Sequence, residues 1–330
     1  MARMNLFKVL LLSLMCCLSA RAELAPRTVW QDIKIEKPTG IQKSSVVGKG
    51  PIPVVIIAEL GCDENTYADF ADRNADKFKT YTLVLPGTRP DTRPFALDRG
   101  QVRDPLYWIN AIDSIAAYIQ EKKIEKPLII GHGFAGTAAY MMAVKYPELA
   151  RGYVIVNALP APPVGETGNI PAKEMRAADV DKYQRQVVLG MDQNAWRNRA
   201  RQNIPSQTTS DKRSGALINT ISESPASVAR RYILEALYMD LRDDLARTKA
   251  PLLVFGSLAP WLGDRDRDLI RASFQNIGFV CPSAQVVLLE KTPQWFLLDD
   301  PEKFDPVVLK FAQPASEKPA IQKQEDGGTK

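Results

Sequence analysis

The sequence predicts an α/β fold: a mostly parallel central sheet with helices on both faces and a helical cap insertion. Short segments rich in Val, Ile and Leu alternate with amphipathic helical segments through most of the chain. Several short segments are apolar throughout, which is typical of strands that are buried on both faces. Strands and helices in alternation predict βαβ units around one sheet.

The predicted elements follow one another in a regular order. Apolar runs that end in Pro, Gly, Asn or charged residues predict strands at 54–57, 81–85, 127–130, 153–156, 251–255 and 285–289. Amphipathic spacing between them predicts helices at 67–77, 104–122, 136–146, 227–247, 264–276 and 301–311. The weaker segment 28–49 predicts one or two antiparallel edge strands.

Composition divides the chain into five predicted segments. The stretch that follows the first core part is polar and shows no strand pattern, so we expect an inserted cap there. The last residues are poor in large apolar side chains, which predicts disorder. The predicted segments are a signal peptide (1–22), the first part of the α/β core (23–159), a helical cap (160–225), the second part of the core (226–313) and a disordered tail (314–330).

The N-terminus has the layout of a secretory signal peptide. Arg3 and Lys8 precede an apolar run from Val9 to Leu18, and Ala20-Arg21-Ala22 follows as a small-x-small cleavage site. The run is shorter than a transmembrane helix needs. The sequence therefore predicts an exported protein, periplasmic or secreted, that begins near Glu23.

Composition and charge exclude some function classes. The chain is 45% hydrophobic and 25% charged, which is ordinary for a globular protein. Loss of the signal peptide removes the three basic residues Arg3, Lys8 and Arg21, which lowers the formal net charge from +5 to +2. A charge so close to zero gives no support to nucleic-acid binding. No later segment predicts a transmembrane helix.

Two cysteines, Cys62 and Cys281, remain after the signal peptide is removed. The predicted topology puts Cys62 after an early strand and Cys281 before the last strand, at opposite edges of the sheet. Because a disulfide requires Cα atoms within about 7 Å, we predict two free thiols.

A strand, a tight turn of small residues and a helix start are predicted at Leu128-Ile129-Ile130-Gly131-His132-Gly133-Phe134-Ala135-Gly136. This stretch resembles the nucleophile elbow of the α/β-hydrolase fold superfamily, G-x-S-x-G, with its second glycine displaced by one position. Other stretches are similar to family segments in the family's order, at 54–63 (the oxyanion loop), 82–87, 241–256 and 298–304. The resemblance implies the α/β-hydrolase fold.

The resemblance also implies where a Ser-His-acid triad would lie. The nucleophile position is Gly133, the acid position is Ala259 and the base position is Gln294. None of these side chains is a nucleophile, a carboxylate or a base that accepts a proton near neutral pH. An alternative acid position is Asn157, and Asp264 is expected to N-cap a helix. The degenerate triad implies a pseudohydrolase with no catalytic residues.

His132 and Glu59 each have two interpretations. His132, the one histidine of the sequence, is either a base or metal ligand or a locally hydrogen-bonded side chain of the elbow. No His/Cys/Asp cluster with suitable spacing accompanies it, which favours the second and predicts no metal or cofactor. Glu59 aligns with a glycine of the oxyanion loop, where its charge would oppose a developing oxyanion. It is expected to bind a cationic or hydroxyl-bearing ligand, or to face solvent or an arginine of 89–103.

One pocket is expected at the strand ends. Glu59, Leu60, Phe134, Trp261 and Trp295 are its predicted ligand-binding residues, because aromatic side chains with a few polar groups commonly line ligand sites. The alternative for each aromatic residue is packing between the sheet and the cap.

Arginines cluster in two places. One set lies within 89–103, and the cap contains Arg197, Arg199 and Arg201. An anion-binding surface could use either set. Asp91 and Asp98 interleave with the first set, which favours a solvated loop of mixed charge.

Three functions remain open from the sequence. The first is a non-catalytic module that binds a small molecule or an envelope protein. The second is a hydrolase that cleaves an ester or related bond through non-standard residues such as Glu59. The third is a structural partner in an envelope assembly, with a collapsed pocket and a large apolar surface patch. A pocket that is open to solvent would favour the first.

Overall fold

The structure, a computed structural model, describes residues 29–96, 104–164, 170–260 and 263–313. The predicted signal peptide and the predicted tail lie outside these ranges, and so does Trp261. Within these ranges, no helix combines the length and the apolar character needed to cross a membrane.

One sheet of seven strands forms the centre of the described structure. The strands are β1 Ser44–Val47, β2 Ile52–Ile57, β3 Phe78–Leu83, β4 Leu128–His132, β5 Gly152–Val156, β6 Leu252–Leu258 and β7 Ala284–Glu290. Their order is β1-β3-β2-β4-β5-β6-β7, with β1 antiparallel to β3 and the other neighbours parallel. The predicted mostly parallel sheet is confirmed, and the segment before β2 supplies one antiparallel strand.

The central strands are apolar because both of their faces are covered. Every residue of β4 and β5 is buried, while the edge strand β7 is half-buried with exposed residues at Gln285 and Glu290. A continuous apolar run is the pattern expected for a parallel strand between two helical layers.

Twelve α-helices surround the sheet in the described ranges. They are α1 Ala68–Arg73, α2 Leu106–Glu121, α3 Ala135–Lys145, α4 Lys173–Asp179, α5 Arg185–Leu189, α6 Gln193–Asn203, α7 Asp211–Glu223, α8 Ala226–Tyr238, α9 Arg242–Leu245, α10 Asp264–Val280, α11 Phe296–Asp299 and α12 Pro301–Ala312. Short 3₁₀ turns lie at Val29–Asp32 and Ile204–Ser206, and a π-helical turn at Val180–Gln184 joins α4 to α5.

The prediction of a single helix at 227–247 is wrong, because the structure contains two helices in that segment. The chain leaves α8 at Met239, whose ψ of 145° is extended. The Asp240 carboxylate then accepts a hydrogen bond from the Arg242 backbone N–H at 3.1 Å and starts α9. A short polar side chain that binds the backbone two residues later commonly starts a new element.

The helices α4 to α7 lie within the segment predicted as the cap, and several contacts fix them. The side chains of Asp192 and Ser210 accept the first backbone N–H groups of α6 and α7. The Trp196 indole N–H donates to the Ile221 carbonyl oxygen at 2.8 Å, which joins the two helices. Asp299 of the core accepts from the Thr208 hydroxyl at 2.9 Å, so this segment is also tied to the core.

Cys62 and Cys281, predicted as free thiols, are both buried and are not joined to each other. Burial raises the pKa of the Cys62 thiol well above its usual value. A thiol in that state is a poor nucleophile near neutral pH.

Candidate functional site

The predicted elbow is a sharp turn between β4 and α3. Gly133 adopts a φ of +55°, a left-handed conformation that side chains other than glycine rarely take. Its backbone N–H donates to the Val156 carbonyl oxygen at 2.8 Å, and its own carbonyl accepts from Gly136 at 3.0 Å. A Cβ at Gly136 would lie 2.4 Å from the Cβ of Ala158, so the start of α3 approaches the chain after β5 closely.

The Glu59 carboxyl occupies the space above this turn. Glu59 follows β2 and is 8% exposed. Its Oε2 accepts from the backbone N–H of Ala135 at 3.3 Å, at the start of α3. A Cβ placed on Gly133 would lie 2.4 Å from the same Oε2. Glycine at 133 and glutamate at 59 are therefore sterically matched.

Burial raises the pKa of Glu59 to about 8, and hydrogen bonds from the backbone N–H groups of Ala135, Leu60 and Phe134 act against this rise. The carboxyl is thus mainly protonated near neutral pH, because a buried charge without a partner is costly. Of the alternatives predicted for Glu59, the solvent-facing one is wrong. Among the described residues, no Lys or Arg nitrogen forms a salt bridge with it.

His132 is fully buried and both of its ring nitrogens are engaged. Nε2 lies 3.1 Å from the Gln294 carbonyl oxygen, and Nδ1 lies 3.3 Å from the Tyr67 hydroxyl. That hydroxyl accepts from the Glu59 backbone N–H at 3.2 Å, so its own hydrogen is available to Nδ1. The contacts define a neutral imidazole with its proton on Nε2.

The environment of His132 favours a structural role. Burial lowers the pKa of His132 to about 4. In the described part of the chain, no three His, Cys, Asp or Glu side chains are grouped to hold a metal. The local hydrogen-bonded arrangement expected for the elbow histidine is the one that the structure contains.

The two other predicted triad positions lie at the same edge of the sheet. Ala259 follows β6 and Gln294 follows β7, and both border the cavity above the elbow. Asn157, with a φ of +53°, donates to the Gln294 carbonyl oxygen at 2.8 Å and accepts from the Ser257 backbone N–H at 2.7 Å. Asn157 thus ties the ends of β5, β6 and β7 together.

The expectation that Asp264 N-caps a helix is wrong. Gly263 is the N-cap of α10, and Asp264 is the first helical residue. The Asp264 side chain is 96% exposed and pairs with Arg267 at 2.8 Å. An acidic side chain is tolerated in a first turn because it complements the helix dipole, even when it makes no cap.

A cavity of about 580 Å³ lies over the elbow. Four of the predicted ligand-binding residues border it, namely Glu59, Leu60, Phe134 and Trp295, while Trp261 lies outside the described residues. Trp295 is only 1% exposed, and its ring contacts the His132 ring with centroids 4.4 Å apart. Trp295 therefore combines the two predicted roles, since it packs in the core and forms part of the cavity wall.

The cap wall of the cavity contains none of the predicted ligand-binding residues. It consists of one face of α6 and the turn after it: Trp196, Arg199, Ala200, Asn203 and Ile204. A signal for this wall was present in the sequence, because Trp196, Ala200 and Ile204 recur at every fourth position and are, with Ala195, the apolar residues of the otherwise polar stretch 193–204.

Comparisons with known proteins agree with this architecture. The model of the Alpha/beta hydrolase family matches residues 61–307. A hydrolase from Oleispira antarctica is similar in structure, with a TM-score of 0.63, 16% identity and coverage of 82% of this chain and 94% of that one. MenH from S. aureus gives a TM-score of 0.60 at 14% identity, covering 82% of this chain and 98% of its own.

A thermophilic esterase from Thermogutta terrifontis gives a TM-score of 0.56 at 18% identity, covering 80% of this chain and 90% of its own. A comparison with curated protein sequences finds no match. Identities this low establish the fold alone, and the predicted α/β-hydrolase fold is confirmed.

Proposed function

The chain belongs to the Alpha/beta hydrolase family, and we propose that it is a non-catalytic member that binds a small molecule in the cavity over its elbow. Gly133, Ala259 and Gln294 stand at the nucleophile, acid and base positions. Acyl transfer by a triad needs a nucleophile and a base that relays its proton, and these side chains supply neither. His132, the one histidine, is held neutral in the framework by the contacts described above.

The observation that carries this proposal is the position of the Glu59 carboxyl. At an elbow of this type, the oxyanion is stabilised by backbone N–H groups from the residue after the nucleophile and from the loop after the neighbouring strand. Here those residues are Phe134 and Leu60, and their N–H groups face the Glu59 carboxyl together with that of Ala135. A side chain of the protein thus fills the place of the reacting oxygens.

The space beyond Glu59 remains available. The cavity of about 580 Å³ falls in the size range of small-molecule sites. Its walls are mainly apolar, and a few polar groups converge on it, including the side chains of Asn157, Ser257 and Gln294. An open cavity of this kind supports binding of a small molecule over a structural partner whose pocket is collapsed.

A second candidate is hydrolysis assisted by Glu59. The hydrolases among the structural neighbours and the place of Glu59 in the cavity wall favour it. In this mechanism, the ionised carboxylate would take a proton from a water that attacks an ester. Because burial raises the pKa of Glu59 to about 8, such activity would increase from neutral to alkaline pH.

We also propose that the protein works outside the cytoplasm, since the N-terminal segment has the layout of a signal peptide. N-terminal sequencing of the protein secreted or released from the periplasm of its expressing host tests this. A start near Glu23 is expected, and an intact Met1 in the soluble cell interior would contradict it.

Binding is tested with Nile red, a neutral dye whose fluorescence rises in apolar surroundings. Ala200→Trp narrows the cavity from the cap and Ala259→Phe narrows it from the sheet, since both alanines border it. Ala195→Trp is the matched control, because Ala195 is exposed on the same helix as Ala200 and does not border the cavity. Wild type and the control are expected to bind, and both narrowed variants to lose most of the signal.

Dye binding that both narrowing substitutions leave unchanged would contradict the proposal, as would a wild type that does not bind. Hydrolysis is measured on the same proteins with p-nitrophenyl butyrate and octanoate, together with Glu59→Gln and His132→Ala. Turnover indistinguishable from buffer is expected for all of them. Turnover by the wild type that Glu59→Gln abolishes would establish the second candidate instead.

A further inference from the structure

One cap arginine faces the cavity, while its two neighbours in the same cluster do not. Along α6, positions 196, 200 and 203 lie on one side of the helix, and Arg199 lies among them. Arg199 borders the cavity, and Arg197 and Arg201 do not. Arg201 instead donates to the Asn198 side chain at 3.5 Å. Of the three arginines of this helix, Arg199 is thus the one that borders the cavity.

Arg199 has no partner among the described residues. Other arginines near the cap bind carboxylates, for example Arg89 with Glu223 at 2.6 Å and Arg213 with Asp69 at 2.8 Å. Within the described ranges, Arg199 forms neither a salt bridge nor a hydrogen bond. An exposed guanidinium at the edge of a cavity, with its donors unused, is available to a ligand.

Among the described residues, two ionisable side chains border the cavity, Arg199 on the cap and Glu59 on the core. Burial raises the pKa of Glu59 to about 8, so its carboxyl is mainly neutral at pH 7. The described part of the wall then has a net positive charge, located at the cap. Large apolar side chains line the same cavity, among them Trp196, Ile221 and Phe274.

We propose that the ligand is an amphipathic carboxylate, whose ionised end binds Arg199 and whose apolar body lies against Trp196, Ile221 and Phe274. This inference rests on the proposed function and names its ligand class. The planar guanidinium matches a carboxylate with two parallel hydrogen bonds. A single arginine balances one negative charge, which favours a carboxylate over a doubly charged phosphate.

Isothermal titration calorimetry with decanoate at pH 7.5, below its micellar concentration, tests the proposal. Methyl decanoate, which has the same chain and no charge, is the neutral probe. Arg199→Gln is compared with Arg197→Gln and Arg201→Gln, which remove the same charge from the same helix. These exposed positions are expected to leave folding intact.

Decanoate is expected to bind Arg199→Gln about tenfold more weakly than wild type, because a charge-assisted hydrogen-bonded pair is lost. The two control variants are expected to stay within about twofold, the residual long-range effect of one screened charge. Methyl decanoate is expected to bind wild type more weakly than decanoate and to be insensitive to Arg199→Gln.

Equal affinities of decanoate and methyl decanoate, or equal losses in all three arginine variants, would overturn the assignment to Arg199. Failure of decanoate to bind, while Nile red occupies the cavity, would overturn the ligand class and leave cavity binding intact. Failure of decanoate, methyl decanoate and Nile red together would overturn the proposed function itself.

Discussion

Two buried glutamates, Glu59 and Glu235, each accept hydrogen bonds from the start of a helix. Their other surroundings differ, and the difference distinguishes a carboxyl of the interior from one at the candidate site. Glu235 on α8 accepts from the backbone N–H groups of Tyr107 and Trp108 at 2.8 and 3.3 Å, at the start of α2. Its other carboxyl oxygen binds the Arg231 guanidinium. Glu59 accepts from the start of α3, has no cation beside it in the described structure, and borders the cavity.

Burial raises the pKa of both carboxyls, so a raised pKa does not distinguish the two regions. The partners do. At Glu235, a guanidinium and two N–H groups satisfy a carboxyl that is 0% exposed, as expected for an interior connection between helices. At Glu59, the carboxyl accepts from the start of α3 and the residue borders the cavity. A buried carboxyl without its own cation is thus the better sign of a site.

The largest expected effect comes from removing each carboxyl in turn. Glu235→Ala deprives a mostly buried Arg231 and two backbone N–H groups of their acceptor, which is expected to lower the free energy of unfolding by about 3 kcal/mol. Glu59→Ala removes a carboxyl that binds no cation and opens onto an existing cavity, so about 1 kcal/mol is expected. Urea unfolding measures both. Equal losses in the free energy of unfolding would contradict the difference drawn between the two carboxyls.

The next effect tests the steric match at the elbow. Gly133→Ala puts a Cβ within 2.4 Å of the Glu59 carboxyl oxygen and forces alanine into a φ of +55°, which is expected to cost about 2 kcal/mol. In a Glu59→Ala background the collision is removed, and a cost of about 1 kcal/mol from the backbone conformation is expected to remain. Urea unfolding of wild type, the two single variants and the double variant gives the coupling free energy between positions 133 and 59. A coupling of zero would show that the carboxyl moves aside freely.

The pH dependence of stability tests the protonation state of the Glu59 carboxyl. The pKa of Glu59 is about 8 in the folded protein against 4.5 as its ordinary value, so the folded state keeps a proton that the unfolded chain has released. The stability that this neutral form contributes is fully present below pH 4.5 and is lost as the pH rises through 8.

Glu59→Gln cannot ionise. Its stability relative to wild type is therefore expected to increase as the pH rises from about 5 to about 9, because the wild-type protein must then ionise a buried carboxyl. The exposed Glu125→Gln is the control, with no such pH-dependent gain. Glu235 uses both carboxyl oxygens as acceptors, one for Arg231 and one for two backbone N–H groups, whereas an amide has one acceptor oxygen. Glu235→Gln is therefore expected to be less stable than wild type. A Glu59→Gln gain that is constant with pH would contradict the protonated carboxyl.

Much of the fold follows from local pattern, while the exact strand limits depend on pairing. Apolar runs placed the strands, yet 81–85 was predicted where β3 spans Phe78–Leu83. The early part of β3 is less apolar, and Phe78 and Thr80 become strand residues because they pair with Ile52 and Val54 of β2. Such pairing is set by tertiary structure and leaves little trace in a short segment.

The site divides in the same way. The core side of the cavity could be predicted, because Glu59, Leu60 and Phe134 follow strands whose ends must meet at one edge of a parallel sheet. The cap side could not, since the orientation of α6 depends on contacts between distant residues, such as the bond from Trp196 to Ile221. Whether these side chains bind a ligand stays a prediction.

The smallest expected effect concerns the hydroxyl that positions Glu59. Tyr67 accepts from the Glu59 backbone N–H at 3.2 Å and lies 3.3 Å from His132 Nδ1. In the region of Glu235, the Tyr232 hydroxyl makes one hydrogen bond among the described residues, to the Pro86 carbonyl oxygen at 3.1 Å. Tyr67→Phe therefore removes two hydrogen bonds, and Tyr232→Phe removes one. Both side chains are fully buried.

Each substitution is expected to cost up to about 1 kcal/mol in urea unfolding, with the larger loss for Tyr67→Phe, which leaves a buried N–H without this acceptor. Equal losses would mean that the contact with His132 adds no stability. A smaller loss for Tyr67→Phe would mean that the loop with Glu59 relaxes once the hydroxyl is gone. The Glu59 loop would then be the less rigid of the two regions, as a site that rearranges around its ligand requires.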